Sequence, residues 1–186
     1  VYEGCRVLAR MRWQPCVRTV GPYFDRPDYI AALATRLQAD MASLDFVPEK
    51  IVLSYHSIPK AYWDKGDPYP CHCFKTTRLL AEAMQLPAER FISAFQSRVG
   101  PTEWVGPYSE DTVKGLGAQG VKSILVAAPA FSADCVETLE EIDMGLRKSF
   151  LEAGGERFHY SPCLNASDEG MDVLANIARD NLAGWL

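Results

Sequence analysis

Positive charge is in short supply in this sequence of 186 residues. Lysine and arginine together number 19 against 24 aspartates and glutamates, which leaves a net charge of -5. Proteins that bind nucleic acid need clustered lysine and arginine to neutralise phosphates. A nucleic-acid role therefore has no electrostatic support, and we expect no nucleic-acid partner.

Long hydrophobic runs are also missing. The longest run, 124–131, contains Pro129 and falls well short of the roughly 18 apolar residues that cross a bilayer. The first residues, VYEGCRVLARMRW, carry scattered arginines and do not have the pattern of a secretory signal. These absences predict a cytoplasmic protein without a membrane span. They leave peripheral membrane contact and homo-oligomer formation open.

Motifs for common cofactors are absent as well. Cys71 and Cys73 flank His72, but no second cysteine pair lies at the spacing of a structural zinc site. The glycines of GLGAQG, at 115–120, precede a predicted strand, which reverses the order found in a dinucleotide-binding turn. We therefore expect reduced thiols and no bound NAD, ATP or zinc.

What is present is an alternation of two patterns from residue 27 onward. Apolar residues three or four apart are typical of helices, and short apolar runs between them are typical of buried strands. The predicted helices cover 27–44, 73–86, 109–119, 134–153 and a last segment through 171–182, and the predicted strands cover 50–55, 90–96, 122–128 and 158–160. This order predicts an α/β fold with a doubly wound parallel sheet.

Ligands of open parallel sheets bind beyond the carboxyl ends of the strands. That rule selects the loop after IVLSY, which starts at His56, and the loop after SILVAA, which carries Phe131 to Glu137. Both loops contain groups that can handle a proton or a metal ion.

His56 stands at the end of a predicted strand. An imidazole there can act as a base or as a nitrogen ligand near neutral pH. The alternative is an ordinary hydrogen-bonded histidine at a strand terminus, and position alone favours that alternative.

Carboxylates cluster after the second loop. Glu137 and Glu141 lie four residues apart on one face of the predicted helix, and Glu140 and Asp143 add nearby charge. Such clusters attract divalent cations or relay protons. The alternative is a capping box formed by Asp134 and Glu137, which these residues alone favour.

Three longer motifs resemble those of the ferrochelatase family. They are LSYHSIPKAYWDKGDPYP, AFQSRVGPTEWVGPYSEDTVKGL and PAFSADCVETLEEID, in the same order and with similar separations. The resemblance runs from about Gly21 to the end of the chain and includes SPCLNAS at 161–167. Because the motifs are long and of low degeneracy, the resemblance is specific.

The resemblance implies a lyase that inserts ferrous iron into protoporphyrin IX, giving protohaem in haem biosynthesis. It implies His56 and Glu137 as catalytic residues and metal ligands, with Glu141 as a secondary ligand. Trp104 becomes a candidate wall of the porphyrin pocket, and the candidate neighbours of that pocket are Ser54, Tyr55 and Ser97. Beyond the iron substrate we expect no cofactor. Some family members hold an iron–sulfur cluster with cysteines near the carboxyl terminus, and no cysteine follows Cys163.

The resemblance also implies two similar chelatase-like domains with the porphyrin between them. On that basis residues 1–26 are expected to be a connecting or crossing segment from a missing amino-terminal domain. Residues 27–186 are expected to be the carboxyl-terminal chelatase-like domain. The expected partners are porphyrin, ferrous iron and the missing domain.

Two alternatives stay open at this point. One is a related tetrapyrrole chelatase that uses another divalent metal, because imidazole and carboxylate bind several such ions. The other is a noncatalytic tetrapyrrole-binding fragment. The sequence does not decide between protoporphyrin and coproporphyrin as the substrate.

Overall fold

A single parallel sheet organises the chain, which the computed structural model describes over residues 2–185. Its strands are β1 (Lys50–His56), β2 (Phe91–Gln96), β3 (Ser123–Ala127) and β4 (Arg157–Ser161). Their spatial order is β2, β1, β3, β4. All four strands were predicted, and each observed end lies within one residue of the predicted one.

Helices cover both faces of this sheet. They are α1 (Tyr2–Leu8), α2 (Pro27–Ser43), α3 (Lys60–Asp64), α4 (Tyr69–Met84), α5 (Ser109–Ala118), a π-helix (Glu137–Leu146), α6 (Arg147–Glu152) and α7 (Asp168–Leu182), with a 3-10 turn at Ala88–Arg90. Buried residues of α2, α4 and α7 form the core on one face. Those of α5, the π-helix and α6 form the core on the other. The doubly wound α/β fold is therefore confirmed.

Strand β1 is one of the two inner strands of the sheet. Its residues 51–55 are all buried. A parallel strand that is covered on both faces is expected to be apolar nearly throughout, as IVLSY is. Each of Ile51, Val52 and Leu53 is fully buried, and such a side chain contributes about 1.5–3 kcal/mol relative to an exposed one.

The register of the sheet aligns the ends of β1 and β2. His56 pairs with Gln96 across these two strands. On the other side of β1, Leu53 pairs with Ala127, the last residue of β3. The segments that leave these three strands therefore emerge at one edge of the sheet.

Two predicted helix starts are wrong. The helix expected from Cys73 begins at Tyr69 instead, because Pro70 occupies the first helical turn, where its missing amide hydrogen is not needed. The helix expected over 134–153 begins at Glu137, and its first ten residues are π-helical. A π-helix is rare and frequently lies at a functional site.

The segment before α2 has little contact with the core. Helix α1 has no buried residue, and residues 9–22 are exposed throughout. Neither α1 nor α3 was predicted from the sequence. Within residues 2–185, the structure contains no helix with the length and apolar character that a membrane span requires.

Candidate functional site

The carboxyl ends of β1, β2 and β3 bring the predicted site residues to one edge of the sheet. His56 ends β1, and Gln96 ends β2. The loop after β3 carries Phe131, whose ring centroid lies 6.4 Å from that of His56. The π-helix then begins at Glu137. This edge is where the strand-end rule placed a ligand.

His56 is half-buried, and one of its ring nitrogens is already engaged. Nδ1 lies 2.7 Å from the carbonyl oxygen of Ser57. Because a carbonyl oxygen can only accept, Nδ1 must carry the proton and donate it. The lone pair of the neutral ring is then on Nε2, which is the form of histidine that accepts a proton or ligates a metal.

Glu137, the first residue of the π-helix, lies near His56. A hydrogen bond from the Cys135 thiol and one from the backbone amide of Glu137 itself lower the pKa of this carboxyl group, burial opposes them in part, and the nearby His56 adds a weaker lowering effect. Glu137 is therefore a carboxylate at neutral pH. The His56 ring and the Glu137 carboxylate are near enough to interact electrostatically.

Glu141 is held by Ser97, just beyond β2. The Ser97 hydroxyl donates to Oε2 of Glu141 at 2.7 Å. Ser97 has a φ of 66°, a backbone conformation that is uncommon for a residue with a side chain. Ser97, a predicted substrate-binding residue, thus contacts a predicted secondary metal ligand.

Gln96 is a site residue that the sequence reasoning missed. Its side chain accepts from the Ser54 hydroxyl at 2.6 Å and donates from Nε2 to the backbone carbonyl of Glu137 at 2.8 Å. The only signal in the sequence is a long polar side chain at the end of a buried strand. Such a side chain needs buried partners, but the sequence does not say which.

Asp134 anchors the loop that leads into the π-helix. Its carboxylate accepts from the Tyr160 hydroxyl at 2.6 Å and from the Asn165 amide at 2.7 Å. Burial raises the pKa of Asp134, but hydrogen bonds from Asn165, Tyr160 and Cys163 outweigh it and keep the pKa below its usual value. The capping box expected between Asp134 and Glu137 is therefore wrong, because Val136 precedes the helix with helical angles and no side-chain cap.

Ser54 and Tyr55, two of the predicted pocket neighbours, are buried behind the site. Ser54 is bonded to Gln96 and lies 2.7 Å from the Ser109 hydroxyl. The Tyr55 hydroxyl is 2.9 Å from that of Thr77. Both hydroxyls are hydrogen-bonded to other side chains of the protein, and these bonds stabilise the strand that carries His56. Direct substrate contact by either residue stays a prediction.

Trp104 is half-buried in the loop that follows β2. Its indole nitrogen donates to the carbonyl of Val99 at 3.1 Å, and its backbone forms a bridge with Pro59. The loop is thus tied to the segment just after His56. Trp104 stays a predicted wall of a porphyrin pocket.

Asp143 does not extend the acidic cluster. Its carboxylate pairs with Arg147, which also donates to the carbonyl of Phe158 at 2.6 Å. This ion pair directs Asp143 toward β4. The glutamates that contact other site residues are Glu137 and Glu141.

Metal-ligating side chains do not form a closed cage in residues 2–185. No group of three or more histidine, cysteine, aspartate or glutamate side chains converges there. Burial raises the pKa of both the Cys73 and the Cys163 thiol to about 12. Those two sulfurs are protonated at neutral pH and are poor ligands. Metal binding by His56, Glu137 and Glu141 therefore stays a prediction.

A cavity of about 560 Å³ borders the π-helix. Gln96, Ser97 and Glu141 contribute to its wall, together with residues of α5 and α6. Its size is within the range of small-molecule sites. It gives the Glu141 carboxylate an open approach.

Comparison with known proteins matches almost the whole chain to one family. The family description "Ferrochelatase" matches residues 2–182. The ferrochelatases of Rhizobium meliloti and Allorhizobium ampelinum are 52% and 51% identical over 184 residues, which is 99% of this chain and 54% of each of those proteins. The chain thus spans about half the length of the curated relatives it matches.

A solved structure shows the same fold. SirB from Bacillus subtilis with Fe3+ superimposes with a TM-score of 0.66 over 98% of this chain and 64% of that one. Sequence identity is 15%, so this likeness concerns the fold alone.

Proposed function

Because this chain belongs to the ferrochelatase family, we propose that it is the carboxyl-terminal half of an enzyme that inserts ferrous iron into a porphyrin. The proposed reaction converts protoporphyrin IX to protohaem in the cytoplasm. Residues 27–186 supply the chelatase-like domain, and residues 1–26 connect it to the amino-terminal half. Both halves are needed because the porphyrin lies between them.

The chemistry of metal insertion fits the residues at the sheet edge. Two pyrrole N–H protons must leave as one ferrous ion enters, so the net charge of the porphyrin core is conserved. The site therefore needs a base, together with ligands that bind the hydrated ion without trapping it. A neutral imidazole and carboxylates meet both needs.

The observation that carries the proposal is the state of the His56 ring. Its Nδ1 donates to the Ser57 carbonyl, so the lone pair of the neutral ring is on Nε2, and the Glu137 carboxylate is near enough to interact with the ring electrostatically. We assign a pyrrole proton to Nε2, because the adjacent anion stabilises the imidazolium that forms. Glu137 and Glu141 then receive the ion and pass protons to solvent.

The exposed apolar side chains of the π-helix support a covered cleft. Val136, Leu139 and Met144 are all exposed, as is Val99 in the loop after β2. Exposed apolar surface can serve as a ligand or interaction face. We assign it to the porphyrin and to the amino-terminal half.

The proposal is tested by anaerobic conversion of protoporphyrin IX to protohaem with ferrous iron. This chain is assayed alone and with the amino-terminal half of the Rhizobium meliloti relative. We expect insertion only with the added half. Faster insertion of cobalt or nickel than of iron in competition would instead support a chelatase for another metal. Porphyrin binding without metal insertion even in the presence of the added half would support a noncatalytic tetrapyrrole-binding fragment.

A further inference from the structure

Gln96 connects the strand end beside His56 to the backbone of Glu137. Its side chain is 6% exposed, so both ends of its amide must find partners within the protein. We propose that Gln96 is a positioning residue that fixes the first turn of the π-helix, and with it the Glu137 carboxylate, relative to His56. This inference rests on the proposed function and names a residue that the motifs do not single out.

The hydrogen bonds around Gln96 allow one orientation of its amide. The Glu137 carbonyl can only accept, so the amide nitrogen must face it, at 2.8 Å. The amide oxygen then faces the Ser54 hydroxyl, which donates at 2.6 Å. Ser54 in turn accepts from Ser109, 2.7 Å away. A directional chain of bonds therefore runs from α5 through β1 and β2 to the π-helix.

The frame behind this chain is rigid. Ser54 and Ser109 are 0% and 1% exposed, and His56 pairs with Gln96 in the sheet register. The strand ends thus fix the position of His56. The hydrogen bond from Gln96 fixes the backbone of Glu137 relative to the same strand ends. Reacting groups must be held to within about 0.5 Å for full activity, so loss of this link should affect turnover.

The next residue makes a second link to the same helix. Ser97 donates to Glu141 at 2.7 Å, and its positive φ turns the chain directly after Gln96. Two consecutive residues thus hold two consecutive turns of the π-helix, one through the backbone and one through a side chain. A merely space-filling Gln96 would not require this arrangement.

The test uses two substitutions at Gln96 and one control in the assay with the added amino-terminal half. Gln96→Met keeps the shape and removes the donor to Glu137. We expect kcat to fall about 10–100-fold, as for residues that orient metal-handling groups, with the KM for porphyrin unchanged because Gln96 is buried. Ser123→Ala removes a buried hydroxyl at the opposite end of the sheet and should leave both constants unchanged.

Gln96→Glu adds a pH signature. The introduced carboxyl group can donate to the Glu137 carbonyl only when it is protonated, and its burial favours that form. The activity ratio of this variant to the parent should therefore rise as pH falls, whereas the ratio for Gln96→Met should stay flat. A ratio for Gln96→Glu that stays flat and as low as that of Gln96→Met would overturn the assignment.

Amide hydrogen exchange provides a readout that does not need activity. Gln96→Met should speed exchange of the amides of 138–146 by about fivefold, the ratio that corresponds to one hydrogen bond. Ser123→Ala should not change it. Unchanged exchange in Gln96→Met would overturn the positioning role, and so would faster exchange with an unchanged kcat. If even the parent assembly inserts no iron, the proposed function fails and the exchange result alone decides whether Gln96 positions the helix.

Discussion

Asp134 shows how a single residue sets the start of the π-helix. Its carboxylate joins the loop after β3 to Tyr160 on β4 and to Asn165 beyond it. Asp134→Asn keeps the size of the side chain but replaces an acceptor by a donor that faces the Asn165 amide. We expect a loss of about 1–3 kcal/mol in the free energy of unfolding at pH 7.

The pH dependence of this loss follows from the lowered pKa of Asp134. The charged form stabilises the fold fully above the unfolded pKa of about 3.9, and this contribution disappears as pH falls through the lower folded pKa. Urea unfolding should therefore show that the difference in the free energy of unfolding between the parent and Asp134→Asn is smaller near pH 3 than at pH 7. Asp111→Asn, at an exposed position, is the matched control and should change little at either pH. A difference that widens in acid would contradict the assignment.

Sequence and structure agree at this scale where a residue carries a recognisable pattern. His56 and Glu137 were predicted from a strand end and a family motif, and the structure places His56 at the end of β1 and Glu137 at the start of the π-helix. Their catalytic and metal-binding roles stay predictions. Gln96 was missed because its role depends on two hydrogen bonds to residues 42 and 41 positions away. Asp134 was assigned to a local cap because its real partners, 26 and 31 residues away, are not visible in sequence spacing.

Among the elements, the strands were easier to predict than the long helix. A strand buried on both faces has an almost continuous apolar run, which β1 and β3 show. A π-helix and an α-helix differ by one residue in hydrogen-bond spacing, and ten residues contain too few turns to separate those periods. The predicted start of α4 was too late for a different reason. Pro70 is typical of a loop, but here it lies in the first helical turn.

Two glycines, Gly115 and Gly117, lower the helix propensity of α5. At Gly117, an added Cβ would lie 3.0 Å from the Phe150 carbonyl oxygen and 3.0 Å from the Ala153 Cβ. The glycine therefore allows close approach of α5 to α6. At Gly115, the nearest atom would be a flexible Gln119 side-chain nitrogen at 3.8 Å.

These two positions give a matched pair of predictions. Gly117→Ala should lower the free energy of unfolding by about 1–3 kcal/mol through overpacking. Gly115→Ala should raise it by about 0.5–1 kcal/mol, because alanine has the higher helix propensity. Chemical denaturation of both variants tests the packing of α5. Equal changes in the free energy of unfolding for the two substitutions would contradict the claim that Gly117 is required for the close contact between α5 and α6.

At the scale of the whole molecule, the π-helix and its flanking residue carry exposed apolar side chains on an outer face. Val136, just before the π-helix, is 67% exposed, and Leu139 and Met144 on the helix are 50% and 68% exposed. We expect this chain alone to self-associate through that face, and we expect an added amino-terminal half to replace self-association by a one-to-one complex. Sedimentation velocity with and without the added half measures both.

A substitution on the same face provides the control. Met144→Glu places a charge on the apolar surface without touching the core, so it should weaken self-association and complex formation together. If the chain stays monomeric at high concentration and does not bind the added half, the result would contradict the proposal that the amino-terminal half covers this apolar surface.

The central claim is that His56 Nε2 is the base for metal insertion, and one rate comparison tests it most directly. Anaerobic iron insertion is measured with the added amino-terminal half for the parent, for His56→Ala and for His72→Ala. The His72 ring lies outside the site and stacks on the Phe24 ring, with 3.7 Å between the two ring centroids. The account predicts that His56→Ala loses about 10²–10⁴-fold in rate, the contribution of a positioned base, while His72→Ala keeps the parent rate. Equal rates for the parent and His56→Ala would contradict it.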